Sequence, residues 1–230
     1  AFTNGYYAAG LQPRTAEGNP YGEGYYDDFN TAVGLDSAGH TQLHHKGKLV
    51  IGVENTPTVI FDLMQFLVID LGGVVGQIGM GQHGTAFGHA GMRMGPAICY
   101  EGLYGDFYGD FVRRGAQFMA IISNDGWWGD TPGYKHLFTI SRLRAIEHRR
   151  AIARSANTGM SGFISARGDI GETLGWEKRG VISAAVPLNS ELTFYTRYGD
   201  YLGRISEYLT LLCVLYYIAY RVKRKNYLVK

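Results

Sequence analysis

The sequence predicts an α/β layered domain ending in an apolar helix long enough to cross a membrane. Short apolar runs bounded by turn residues alternate with stretches of helical periodicity, the signature of strands and helices in layers. The last long apolar run, residues 205–222 (ISEYLTLLCVLYYIAYRV), carries only Glu207 before Arg221.

Residues 1–30, rich in Gly, Tyr, Pro, Asn and Asp, read as loop with one short strand. Residues 30–37 read as a strand entering a turn at Ala38-Gly39, with 41–45 as its hairpin partner. Lys46 and Glu54 then frame a short apolar segment. Residues 58–71 place apolar side chains at helical spacing and predict a helix, whereas 72–91 read as a glycine-rich loop. Residues 94–98 form a buried strand leading into Cys99-Tyr100-Glu101. A helix over 103–114 ends at Gly115, and a second strand over 117–123 stops at NDGWWGD. Helical periodicity runs over 134–154, with Leu137, Ile140, Leu143 and Ile146 on related faces, and strands are expected over 162–165 and 181–186.

Residues 205–222 match the shorter spans that a bilayer core accepts. Tyrosines gather at both ends, as in interfacial aromatic belts, and the RVKRK that closes the run belongs on the cytoplasmic side. The expected organisation is a catalytic domain over 1–204 outside the cytoplasm, a span over 205–222 and a basic tail over 223–230. The rival is an amphipathic helix packed on the domain. The chain opens without methionine or signal-peptide pattern, as expected of a fragment or processed product.

Hydrophobic residues make up 46% and charged ones 18%, which excludes a disordered chain. A net charge of +2, with the basic residues dispersed, gives no case for nucleic acid. The two cysteines, Cys99 and Cys213, are ill placed for a disulfide. No Cys/His spacing suits zinc, so neither metal nor cofactor is expected.

Cys99 is the candidate nucleophile, because a thiol between a strand end and a helix start is exposed and faces the helix amides. A buried structural cysteine is the plainer alternative. Lys46 is placed to stabilise a thiolate or an oxyanion, and Glu54 or Glu101 to orient that lysine or move a proton. A solvated surface lysine, and an N-cap or surface salt bridge for each glutamate, are the plainer readings. Asn124, Trp127 and Trp128 end a strand, where α/β folds place their sites, and the tryptophans pack over a site or line its entry. The arginines of 142–154 form a solvated face, or one turned to anionic lipid headgroups.

The segments HHKGKLV, GVE, PAICYEGLYGDF, SNDGWWGDTPGYKH, RLRAIEHRRAIARSANTG and LTFYTRYGDYLGR together resemble the apolipoprotein N-acyltransferase family, whose members carry a nitrilase-like (carbon–nitrogen hydrolase) domain. The resemblance implies an α-β-β-α sandwich, N-terminally truncated here, and a Glu–Lys–Cys triad. By motif Cys99 matches the nucleophile, Lys46 the triad lysine and Glu54 a supporting glutamate. Tyr100, Glu101 and Trp127 match positions around the thioester. Neither Glu17 nor Glu23 suits the triad base, which is expected upstream of Ala1. The implied partners are a phospholipid acyl donor, a diacylglyceryl apolipoprotein acceptor and the bacterial inner membrane. A soluble amidase and an inactive fragment lacking its base are the alternatives.

Overall fold

The computed structural model describes residues 2–9, 27–50, 54 and 78–228. Strands β1 (Phe2–Ala9), β2 (Asp27–Leu35) and β3 (Thr41–His45) form an antiparallel sheet in that order. A second, six-stranded sheet runs β4 (Phe87–His89), β5 (Met92–Ile98), β6 (Phe118–Ser123), β7 (Ile152–Ala156), β8 (Ser161–Ile164) and β9 (Ile170–Leu174). Its β5–β6–β7 centre is parallel, and its flanking pairs are antiparallel.

Parallel neighbours require crossovers, here α1 (Gly105–Arg113) and α2 (Pro132–His148). Tyr108, Phe111 and Val112 of α1 and Phe138 and Ala145 of α2 join Ala97, Met119, Ile121, Ile152 and Ile164 of the strands in one buried cluster. The near-continuous apolar sequences of β5 and β6 follow from their central place. The two sheets meet where the Gln42 side chain pairs with the backbone of Gly88 in both directions. Gly34 lies against the Phe87 ring there, and a Cβ at Gly34 would sit 2.8 Å from it.

Several expectations are corrected. Residues 1–30 hold β1 and the start of β2, with β1 and β2 paired from Phe2↔Gly34 to Ala9↔Asp27; backbone pairing makes β1 without apolar alternation. Within 72–91, β4 pairs back on β5 through Ala90 and Gly91, both at positive φ. Helix α2 stops six residues short of its expected end, because Arg149 takes a left-handed φ of 50° and caps it. Its buried face is Tyr134, Leu137, Phe138, Ser141, Arg144, Ala145 and His148, leaving Leu143 and Ile146 exposed.

The arginine-rich stretch is largely internal. Arg144, Arg150 and Arg154 are buried, and Arg150 donates to the carbonyls of Ala116, His148, Arg149 and Glu191. Arg150 and Arg154 satisfy backbone carbonyls and Arg144 pairs with Glu147, so these groups are turned inward. Residues 181–186 form no strand, and β9 lies earlier in the chain. The expected helix over 58–71 lies outside the described residues.

The chain closes with α3 (Phe194–Tyr198) and a 28-residue helix, α4 (Tyr201–Leu228). Within it Tyr201–Arg221 is apolar and long enough to cross a membrane, and none of that stretch is buried. In this structure the helix does not pack on the domain as the rival amphipathic helix would.

His148 ties α2 to its surroundings. Its Nδ1 lies 2.9 Å from Thr196 Oγ1 on α3, and its Nε2 3.2 Å from the Gly105 carbonyl. Burial, then the neighbouring Arg144, push its pKa down to about 3. The unfolded ring binds its proton near 6.5, so the contribution is full above that pH and is lost as pH falls toward 3. Denaturation of the full chain in detergent from pH 7 to 4 is expected to show it. His148→Gln should remove up to one proton of linkage, a slope of about 1.4 kcal/mol per pH unit.

Candidate active site

The site is built at one sheet edge from three chain segments. β5 ends at Ile98, and Cys99 turns the chain with φ of 45° into a single 3-10 turn, Cys99–Leu103. A non-glycine residue in that region costs about 1–3 kcal/mol. The thiol is half-buried and free. β6 runs parallel to β5 with Ile98 opposite Ile122, so the loop that starts at Asn124 leaves the sheet beside Cys99.

The lysine comes from the other sheet. Lys46 follows β3 by one residue, and its amide still donates to the Asn30 carbonyl of β2. Lys46 is 2% exposed, and its Nζ donates to both oxygens of Glu54, at 2.8 and 2.7 Å. Glu54 also accepts from Asn30 Nδ2 and the Val50 amide, both at 2.8 Å. A buried ammonium is tolerated because this carboxylate meets it directly and has its own further donors. The Lys46 backbone is pinned from both sides, its amide donating to Asn30 and its carbonyl accepting from Gly81. Gly47 must lack a side chain, since a Cβ there would sit 2.3 Å from the Phe107 ring.

Glu101 joins the two segments. Fully buried, it accepts from the Ile98 amide at 2.7 Å and the Gly47 amide at 2.6 Å. His44 Nε2 lies 3.1 Å from both of its oxygens. The residue before the cysteine and the residues flanking the lysine are thereby held by one carboxylate. Glu101 therefore neither pairs with Lys46 nor sits free for proton transfer; Glu54 is the lysine's partner.

The remaining expected residues fall around this edge. Tyr100 packs edge-on against Tyr104 with centroids 5.5 Å apart. Lys48 Nζ lies 5.3 Å from the centroid of Tyr104 and 5.4 Å from that of Phe107. Asn124 caps the turn Asp125–Trp128 by accepting from the Gly126 amide. Trp127 and Trp128 are 50% and 44% exposed, with Trp128 against the Gly133 backbone. Glu17 and Glu23 lie outside the described residues. Among those described, no group of three or more His, Cys, Asp or Glu residues is placed to hold a metal ion.

Sequence reasoning missed His44 as a positioning residue, although its two-residue offset from Lys46 was a usable signal. It also missed Asp125, overshadowed by the tryptophans that follow it. Removing one partner of the buried Lys46–Glu54 pair is expected to cost about 3–5 kcal/mol. Lys46→Met with Glu54→Gln should cost less than either single change, as chemical denaturation of the three variants would show.

The carbon–nitrogen hydrolase family model matches residues 5–192. An apolipoprotein N-acyltransferase of Chlorobaculum tepidum is 36% identical over 181 residues, covering 76% of this chain and 34% of that protein. One from Verminephrobacter eiseniae is 33% identical over 186 residues, covering 79% and 34%. The chain thus spans about a third of the length of these relatives. An amidase from Nesterenkonia sp. AN1, with acrylamide added at its active-site cysteine, superposes with a TM-score of 0.50 at 15% identity, covering 79% of this chain and 63% of that one. A Saccharomyces cerevisiae member of the nitrilase superfamily gives 0.50 at 18%, covering 66% and 51%. With the family model matched across most of its length and the same fold in solved nitrilase-superfamily structures, this chain belongs to the carbon–nitrogen hydrolase family.

Proposed function

We propose that the chain carries the acyl-transfer site of an apolipoprotein N-acyltransferase, with Cys99 as the acyl carrier. The observation that carries this reading is that Glu101 binds both the amide before the left-handed Cys99 turn and the amide after Lys46, whose buried ammonium Glu54 holds. The similarity to apolipoprotein N-acyltransferases over three quarters of the chain selects among the chemistries such a site performs.

In the first step the Cys99 thiolate attacks the ester carbonyl of a phospholipid. The carbon–oxygen bond to the glycerol breaks, and the lysophospholipid alcohol leaves with a proton. In the second step the α-amine of a diacylglyceryl-cysteine attacks the thioester. The carbon–sulfur bond breaks, the thiolate returns, and the amine gives up its proton. Lys46, held by Glu54, stabilises the oxyanion of each tetrahedral intermediate. The reading assigns proton transfer to a third carboxylate N-terminal to Lys46. Trp127, Trp128, Asn124 and Tyr100 line the acyl entry at the same edge.

The exposed apolar helix α4 supports substrates that lie in a bilayer, with the domain at the periplasmic face of the inner membrane. The solved neighbours keep a second reading in play, hydrolysis of a soluble amide at the same thiol; their likeness supports the fold alone.

Intact-mass analysis of the full chain in phospholipid vesicles tests the proposal. An acyl adduct that hydroxylamine removes is expected on the wild type and not on Cys99→Ser, and the acyl group should pass to the amine of an added diacylglyceryl-cysteine peptide. Turnover of short soluble amides with no acyl adduct would overturn the proposal in favour of the amidase.

A further inference from the structure

Asp125 and Arg154 form a buried ion pair that the acyl-transfer chemistry above leaves unused. The carboxylate is completely buried, and the arginine side chain is 2% exposed. The contact is a two-pronged fork, Nη1 to Oδ2 and Nη2 to Oδ1, each at 3.0 Å. Ser123 Oγ adds a third hydrogen bond to Asp125 at 2.5 Å, and Arg154 Nη1 also donates to the Met160 carbonyl at 2.6 Å.

The pair therefore holds three pieces of chain: the end of β6 and the middle of β7 through the carboxylate, and the turn between β7 and β8 through the guanidinium. The turn presses closely on it, since a Cβ at Gly159 would lie 1.9 Å from Asp125 Oδ2. An isolated buried pair is seldom retained for stability, because apolar residues of similar size do as well. What distinguishes this pair is its place: Asp125 opens the turn bearing Trp127 and Trp128, beside the strand that ends at Cys99. Each indole is about half exposed, with Trp128 resting on the Gly133 backbone, so burial of the indoles fixes the turn only in part.

We propose that the Asp125–Arg154 pair is a positioning latch that sets the Trp127-Trp128 turn against the acyl chain carried on Cys99. The substrate part of this inference rests on the acyl-transfer reading; the control of the turn does not. Asp125→Asn keeps the shape but removes the charge that grips the guanidinium. Gly159→Ala keeps both charges and crowds the carboxylate out of its place.

The test compares both variants with the wild type as full chains in phospholipid vesicles, in a Trp176→Phe, Cys213→Ser background. Each should red-shift indole emission and increase its quenching by iodide. Each should also raise KM for the phospholipid donor by about tenfold or more, while alkylation of Cys99 by iodoacetamide stays within about twofold of the wild-type rate. A purely structural role would lower kcat and alkylation together through the folded fraction, with KM unchanged. That pattern, or wild-type indole exposure in the folded variants, would overturn the latch. If Asp125→Asn does not fold, Gly159→Ala carries the test alone. If the wild type forms no acyl-enzyme, the acyl-transfer reading falls, and the indole measurements still decide whether the pair holds the turn.

Discussion

The Glu101 carboxylate is the constraint on which the rest of the site depends. It has no access to water, so its desolvation must be offset by donors fixed in place. The protein supplies the Ile98 amide, the Gly47 amide and the His44 ring. Hydrogen bonds to a charged acceptor are about twice as strong as neutral ones, so moving any one segment leaves a costly vacancy. The separation in sequence is large, 54 residues between Gly47 and Glu101. This side chain thus adds a second polar tie between the two sheets, beside the Gln42–Gly88 pair.

That tie also sustains the strained turn. Cys99 in the left-handed region persists because β5 fixes it from one side and the Glu101 hydrogen bond to Ile98 closes the 3-10 turn from the other. The same economy recurs in Glu54, which accepts from Lys46, Asn30 and Val50, and in Asp125, which accepts from Arg154 and Ser123. Three buried carboxylates, each satisfied by donors from distant segments, turn a sheet edge into a rigid frame. Binding and chemistry at a thiol depend on such preorganisation more than on the thiol itself.

The parallel core was legible in the sequence, because β5 and β6 are short apolar runs ending in polar loops and α1 has a clear buried face. The pairing of Lys46 with Glu54 was legible only as a motif; nothing in the spacing of eight residues requires the two side chains to meet. The role of Glu101 was not legible, since its partners include two backbone amides, which no residue pattern reports. β1 was legible only as one short unplaced strand in residues 1–30, because a Gly- and Asn-containing strand is made by its partner β2 and not by its own periodicity. The end of α2 was misplaced because Arg149 caps it where glycine is the usual signal, and Arg150 and Arg154 then read as a surface although carbonyls and Asp125 bury them.

Hydrogen exchange of individual amides in the full chain, with Glu101 intact and as Glu101→Gln, tests this account most directly. Gly47, two residues past β3, and Ile98, at the end of β5, should both be slow in the wild type and should both accelerate in the variant. The amides of β6 should keep their protection. Acceleration of only one of the two, or of neither, would show that the carboxylate does not couple the lysine strand to the cysteine turn.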